Sequence, residues 1–287
     1  MIFDFRNNTE DIRQSIETQE TGLSSGIDEL DEWLLGFSPS ELITIGGRPG
    51  SGKSSLARNI LLSIGNPSTN KGVGVLYTLE MSCFEVAELM LANLAKVDYN
   101  AVKRGKVTAN DVSRLDNACA QLSNYNVIIN DDSYVTPASI KEFLKARSQI
   151  EPIACLLVDY LQLMSLRKNV ESRQIEVAEI SRELKAIAKD FNIPVIAFSQ
   201  LNRNVEYRES SRPRMVDLRE SGAMENDSSK IILIHRPSQY EIAIDSNAED
   251  TGEVELIVCK NRKGKVGIVN CGWVNSWMSF ENIPKEF

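Results

Sequence analysis

The eight residues from Gly47 to Ser54, GRPGSGKS, carry the strongest chemical signal in this 287-residue sequence. They fit G-x-x-x-x-G-K-[ST] and stand between an apolar run that reads as a strand, ELITIGG, and a 3.6-period segment that reads as a helix, KSSLARNILLSIG. Gly47, Gly50 and Gly52, with Arg48, Pro49 and Ser51 between them, let the backbone wrap its N–H groups around phosphates. The helix that follows points its positive end at the same place. Lys53 would neutralise the terminal phosphates, Ser54 would ligate magnesium, and Ser55 carries the loop into the helix. The expected ligand is therefore a nucleoside triphosphate, ATP or another NTP, with Mg2+.

Three further strands end in residues suited to the same chemistry. The run CLLVD delivers Asp159, a second oxygen anion for magnesium; the alternative is a turn-capping aspartate. GVGVLYTLE ends in Glu80, which can take a proton from water; the alternative is an exposed helix-start carboxylate. PVIAFSQ brings Gln200 to the same edge, where its amide could sense the γ-phosphate.

Two basic clusters follow. Residues 203–222 contain Arg203, Arg208, Arg212, Arg214 and Arg219 with little apolar content, the composition of a phosphate-binding loop or of a merely solvated one. KNRKGK places Lys260, Arg262, Lys263 and Lys265 around Gly264, as the tip of a hairpin. Such a tip either protects a sheet edge or reaches a neighbouring subunit's nucleotide as an arginine finger.

The elements that must position these residues are those of an α/β chain. Strands too apolar to alternate, interleaved with amphipathic helices, predict a largely parallel sheet covered on both faces. The last runs, KIILIHR, EVELIVCKNR and KVGIVNCGW, follow one another without long helices and predict antiparallel additions at one edge. CLLVDYLQLM reads as one strand, and SRQIEVAEISRELKAIAKDF as a long helix. Before residue 22 a polar segment carries only Ile12 and Ile16 on one helical face, too small a stripe to fold without docking.

Composition excludes several classes. The single histidine, His235, ends an apolar run and reads as a strand-end residue, so His-based triads and His-rich metal sites are set aside. The five cysteines are scattered without a C-x-x-C, as expected of buried free thiols in a reducing cytosol. No stretch approaches about 18 uninterrupted apolar residues, and the N-terminus lacks the pattern of a secretory signal, so a cytoplasmic protein without membrane contact is expected. The net charge of -8 argues at face value against an acidic partner, yet the first 42 residues hold ten acids and two bases and thus the entire excess.

Taken in order, GRPGSGKS, TLEMS, LLVDYLQLM, FSQLNR, RPRMVDLRESGAMEND and CKNRKGKVG closely resemble the RecA-like motor domain of DnaB-type replicative helicases, over residues from about 21 to 275. The resemblance implies a RecA-like P-loop NTPase at 22–287, preceded over 1–21 by a linker with a short helix that docks on the adjacent subunit. It also implies a homo-hexameric ring that hydrolyses ATP between subunits, moves 5′ to 3′ on single-stranded DNA and unwinds duplex at replication forks. By that resemblance Lys53 and Ser54 hold phosphates and magnesium, Asp159 is the Walker B carboxylate, Glu80 activates water and Gln200 is the γ-phosphate-coupled glutamine. Arg262 is the finger acting in trans, Lys260 accompanies it, and Arg219, Glu220 and Gly222 track the DNA backbone. Arg173 and Arg182 match more loosely residues that line the ring interior. Family members typically carry a helical collar that contacts primase; only about twenty residues precede the motor here, so primase or loader contacts lack that platform. The competing readings are a filament-forming RecA-like recombinase and a weakly hydrolysing nucleotide-dependent loader module. LRESG together with KNR favours the helicase.

Overall fold

The computed structural model describes residue 13 and residues 21–69, 71–166, 170–202, 212–218, 222–244 and 249–284, with backbone alone at 240, 241, 243 and 244. Ile12, Ile16, Arg203, Arg208, Arg219 and Glu220 lie outside the described residues; of the expected linker helix only Arg13, helical and exposed, is within them.

From residue 21 onward the first helix is α1 (Asp28–Leu34), whose Leu30 and Leu34 are buried one turn apart and which stops where Leu35 takes a left-handed conformation. Then come β1 (Leu42–Gly47), α2 (Lys53–Gly65), β2 (Val73–Thr78), α3 (Cys83–Ala95), α4 (Tyr99–Lys103), α5 (Ala109–Leu122) and β3 (Val127–Asn130). Capping boxes, Ser82 with Glu85 and Thr108 with Asp111, fix the starts of α3 and α5. The middle runs through α6 (Pro137–Arg147), β4 (Ile153–Asp159), α7 (Arg173–Asp190), β5 (Val195–Gln200), α8 (Gly222–Asp227) and β6 (Lys230–His235). The chain closes with α9 (Pro237–Ile244), β7 (Glu253–Asn261), β8 (Gly267–Val274) and β9 (Ser279–Glu281).

Among the described residues nine strands form one sheet in the order β3-β2-β4-β5-β1-β6-β7-β8-β9. The six from β3 to β6 are parallel, and β7, β8 and β9 are added antiparallel, as the change of pattern after residue 230 predicts. β1, β2 and β6 are buried along their whole length, which is why their sequences do not alternate. One core, containing Leu56, Ile60 and Phe198, packs α1, α2 and the inner positions of β7 and β8 against one face. The other, containing Ile140, Leu144, Ile180 and Leu184, packs α6 and α7 against the opposite face. From β1 the chain leaves for β2, beyond β5 and β4, so a crevice opens at the carboxyl end of β1, where ligands of such sheets bind.

One expected element is corrected. The strand read as CLLVDYLQLM stops at Asp159, and Leu161–Leu163 form a single 3-10 turn. Leu161 and Met164 are fully buried while Leu163 is exposed, a spacing of three that suits this tighter helix and not a pleat. His235 is the buried last residue of β6. The cysteines are free, but only Cys155 and Cys271 are buried. No helix among the described residues is long and apolar enough to cross a membrane.

Candidate active site

Four strand ends meet at the GRPGSGKS loop. Gly47 lies in register with Gln200 on one side and Ile234 on the other, and Thr78 lies beside Asp159 one strand further out. The loop's glycines are required sterically. A Cβ on Gly47 would fall 2.3 Å from Ser51 Oγ, and Gly52, at φ 97°, would drive one into the Phe280 ring at 2.8 Å. Gly52 is also the cap of α2, so the N-terminal N–H groups of that helix open onto the loop.

Lys53 is buried and its Nζ donates to the carbonyls of Arg48 at 3.0 Å and Gly47 at 3.2 Å. Burial pulls its pKa below the ordinary lysine value, against the opposing pull of Asp159 and Glu80. Asp159 is 2% exposed, and burial raises its pKa, opposed by a hydrogen bond from Ser54 and by the Lys53 charge. Its Oδ1 is buried without a hydrogen-bond partner. The peptide between Asp159 and Tyr160 is cis. An unmatched carboxylate oxygen beside a serine hydroxyl fits a hard divalent cation, which takes one or two protein oxygens and completes its shell from phosphates and water. Among the described residues no three His, Cys, Asp or Glu side chains converge to hold a metal by themselves.

A cavity of about 420 Å³ opens over the loop. Pro49, Gly50, Gly52, Lys53, Ser54 and Ser55 form its floor, and Glu80 and Gln200 stand in its walls. Glu80 is exposed, two residues beyond the end of β2. The sequence-predicted nucleotide residues Gly47 through Ser55, Glu80, Asp159 and Gln200 are thus brought together.

Other wall residues carry no sequence signal. Arg58, buried one turn into α2, donates to Ser55 Oγ at 2.9 Å and to the Met278 carbonyl at 3.2 Å; burial brings its pKa down to about 10. Arg236 stacks its guanidinium 4.1 Å from the Trp273 ring centroid and pairs with Asp250 at 2.8 Å. That is an aromatic and cationic wall beside the phosphate loop, assembled from two distant segments. Gln162 reaches from the turn after β4 to the end of β5, donating to Ser199 Oγ at 2.9 Å.

The second group of candidates sits elsewhere. Lys230 at the start of β6 pairs with Asn261 at the end of β7, so the KNRKGK tip lies at the amino end of the parallel strands. Between Ile43, the partner of Lys230, and Gly47 the strand rises about 13 Å at about 3.3 Å per residue. Lys260 Nζ donates to the Glu225 carbonyl and Arg262 Nη2 to the Asn226 carbonyl at 2.8 Å, both in the last turn of α8. Lys263 joins a buried pair: Glu41 contacts Lys230 at 2.6 Å and Lys263 at 3.0 Å, and Lys230 also donates to the Gly36 carbonyl at 2.8 Å. Burial favours a raised pKa for Glu41, but the two lysines hold it below the ordinary carboxylate value.

Of the DNA candidates, Gly222 begins α8, while Arg219 and Glu220 lie outside the described residues. Arg212 makes a bidentate contact with Glu255 of β7. Arg173 opens α7 and pairs with Glu176.

Residues 22–282 match the family described as DnaB-like helicase C terminal domain. The chain is 35% identical over 268 residues to the replicative DNA helicase DnaB of Geobacillus stearothermophilus, covering 93% of this chain and 58% of that protein. It is 34% identical over 268 residues to the replicative DNA helicase DnaC of Bacillus subtilis (strain 168), with the same coverage. The chain thus spans somewhat over half the length of these curated relatives. Among solved structures, one described as an ATPase domain superposes with a TM-score of 0.89 at 28% identity, covering 99% of this chain and 100% of that one. A DnaB-like replicative helicase, described with its interactions with primase, gives 0.89 at 29% identity over 98% of this chain and 69% of that one.

Proposed function

The chain belongs to the family of DnaB-like helicase C-terminal domains, and on that premise we propose that it is the ATP-driven motor of a replicative helicase. In this reading it closes into a homo-hexameric ring, hydrolyses ATP between subunits, moves 5′ to 3′ on single-stranded DNA and unwinds the duplex at replication forks in the cytoplasm. The observation that carries it is the separation of two half-sites: a phosphate loop at the carboxyl ends of the strands and a basic hairpin tip at their amino ends. Arg262 lies at the opposite end of the strands from the phosphate loop of its own chain, which supports a role for its charge at the nucleotide of another copy packed head to tail.

Within one subunit the proposed nucleotide roles are supported by where those residues lie, and the DNA roles rest on the family resemblance. Gly47 through Ser55 cradle the phosphates, and Lys53 meets the terminal ones as a buried ammonium. Ser54 and Asp159 would hold Mg2+, which when bound neutralises charge on the β- and γ-phosphate oxygens. Glu80 orients the attacking water and takes its proton, Gln200 faces the γ-phosphate, and the Arg236–Trp273 wall offers the base a flat cationic surface. Arg219, Glu220 and Gly222 grip the DNA backbone, which makes binding sequence-independent and salt-sensitive. A primase or loader would join the ring as a further partner.

The test combines turnover with imaging. ATP hydrolysis should rise with added oligothymidylate and vanish in Lys53→Ala, and negative-stain images with nucleotide and DNA should show closed rings. Wild-type rings without ATPase at any DNA concentration would sink the motor reading, and open filaments would favour the recombinase.

A further inference from the structure

On the β1 side, β5 stays paired as far as Gly47 with Gln200, and the Leu201 N–H continues to the Gly47 carbonyl at 3.2 Å. On the β4 side the pairing stops at Val158 with Ala197. Successive peptide groups of a strand face alternate sides, so the N–H and C=O of Gln200 point toward β4, past the last residue that pairs with them. One side chain meets both. Gln162 Oε1 accepts from the Gln200 N–H at 3.1 Å, and its Nε2 donates to the Gln200 carbonyl at 3.3 Å and to Ser199 Oγ at 2.9 Å.

A carboxamide holds a peptide unit's donor and acceptor in one plane, so Gln162 extends the edge of β4 by one ladder position after the backbone has turned away into the Leu161–Leu163 turn. Gln162 is itself fastened from behind. Arg173 Nη2, from the first turn of α7, donates to the Gln162 carbonyl at 2.6 Å and to the Met164 carbonyl at 2.9 Å, and Glu176 accepts from the Leu166 N–H at 2.9 Å.

We infer that Gln162 is a positioning residue for Gln200: it fixes the backbone from which Gln200 reaches the nucleotide and ties that backbone to the turn held by α7. The inference rests on Gln200 facing the γ-phosphate. Substitutions discriminate by chemistry. Methionine keeps the shape and loses the three carboxamide hydrogen bonds while leaving the backbone carbonyl to Arg173; glutamate keeps an acceptor for the Gln200 N–H but sets its second oxygen against the Gln200 carbonyl.

The experiment measures steady-state ATP hydrolysis with Mg2+ and oligothymidylate, and nucleotide Kd, for the full chain carrying Gln162→Met, Gln162→Glu, Gln200→Ala and the Gln162→Met/Gln200→Ala pair. Both Gln162 variants should lose about tenfold or more in kcat, as displaced reacting geometry does. KM and Kd should change by less than about threefold, because ground-state binding is untouched. The double variant should be no slower than Gln200→Ala alone, because one residue acts through the other. Normal kcat in both Gln162 variants beside a slow Gln200→Ala would overturn the inference and leave the sensor reading standing. Normal kcat in Gln200→Ala would remove the sensor reading itself. A raised Kd, a lowered Tm and losses that add in the double variant would make Gln162 structural. Should Gln162→Met fail to fold, Gln162→Glu alone against Gln200→Ala gives the same split.

Discussion

At the carboxyl ends of β1, β2, β4 and β5 polar side chains converge on a cavity and leave Asp159 Oδ1 unmatched; at the amino ends, the cations of the hairpin tip are matched by a carboxylate and by backbone carbonyls. There Glu41 takes Lys230 and Lys263, and the carbonyls of α8 take Lys260 and Arg262. The difference teaches which end receives and which end gives. Asp159 Oδ1, buried without a partner beside the phosphate loop, marks the receiving surface, since it costs stability that a bound ligand returns. The opposite end carries its cations on exposed side chains braced by a buried pair, the form suited to being presented to something else.

The largest test of this contrast mixes two chains. Lys53→Ala keeps the presented arginine but loses the phosphate loop, and Arg262→Ala does the reverse. Each alone should lose about 10³-fold or more in turnover, the usual worth of a finger; mixed, they should regain a measurable fraction, because some junctions then hold both intact halves. No recovery in mixed assemblies would place Arg262 in service of its own chain and abolish the contrast.

A smaller effect is expected at the braced end. Glu41→Ala leaves Lys230 buried without its carboxylate and should cost about 3–5 kcal/mol of stability by denaturant unfolding. The pH sign follows from the lowered pKa of Glu41. Its contribution is complete above the ordinary glutamate value of 4.5 and is lost as pH falls through the lower folded value. A loss independent of pH there would mean that packing, not charge, braces the tip.

The smallest effect has the opposite sign. Without nucleotide, Asp159→Asn should stabilise the chain by roughly 1–3 kcal/mol, because it removes a charge whose burial is only partly compensated. Because burial raises the pKa of Asp159 above the ordinary aspartate value of 3.8, that gain should shrink as pH falls through the raised value and the carboxyl becomes neutral. Binding of magnesium nucleotide should weaken in the same variant. A destabilised Asp159→Asn would show that the carboxylate is already well served where it stands.

Much of both ends was legible in the sequence, for local reasons. Lys53 through Gly65 form the helix expected from their period, and Asp159 ends a buried strand as its apolar run requires. The KNRKGK tip follows from two β-runs flanking a glycine. What could not be read is what long-range packing assembles. Arg58 looks like any polar residue on a helix until β9 covers it, and Arg236 meets Trp273 only through the edge strands. Gln162 sat inside what read as a strand, and its use became visible only once β4 ended three residues earlier. α1, α4 and α9 are short helices with too little periodicity to announce themselves.

The last strand has a bearing on how the molecule comes to exist. Asn59 of α2 donates to the carbonyl of Phe280 at 2.7 Å, across a separation of 221 residues, and the Phe280 ring lies against the space beside Gly52. The phosphate loop therefore acquires its back wall from a segment more than two hundred residues further along the chain. Such distant contacts form late and carry the largest loop-closure cost. On the ribosome GRPGSGKS is therefore made long before the wall behind it, and the nucleotide site is assembled only once synthesis has passed Phe280 and β9 has docked on α2.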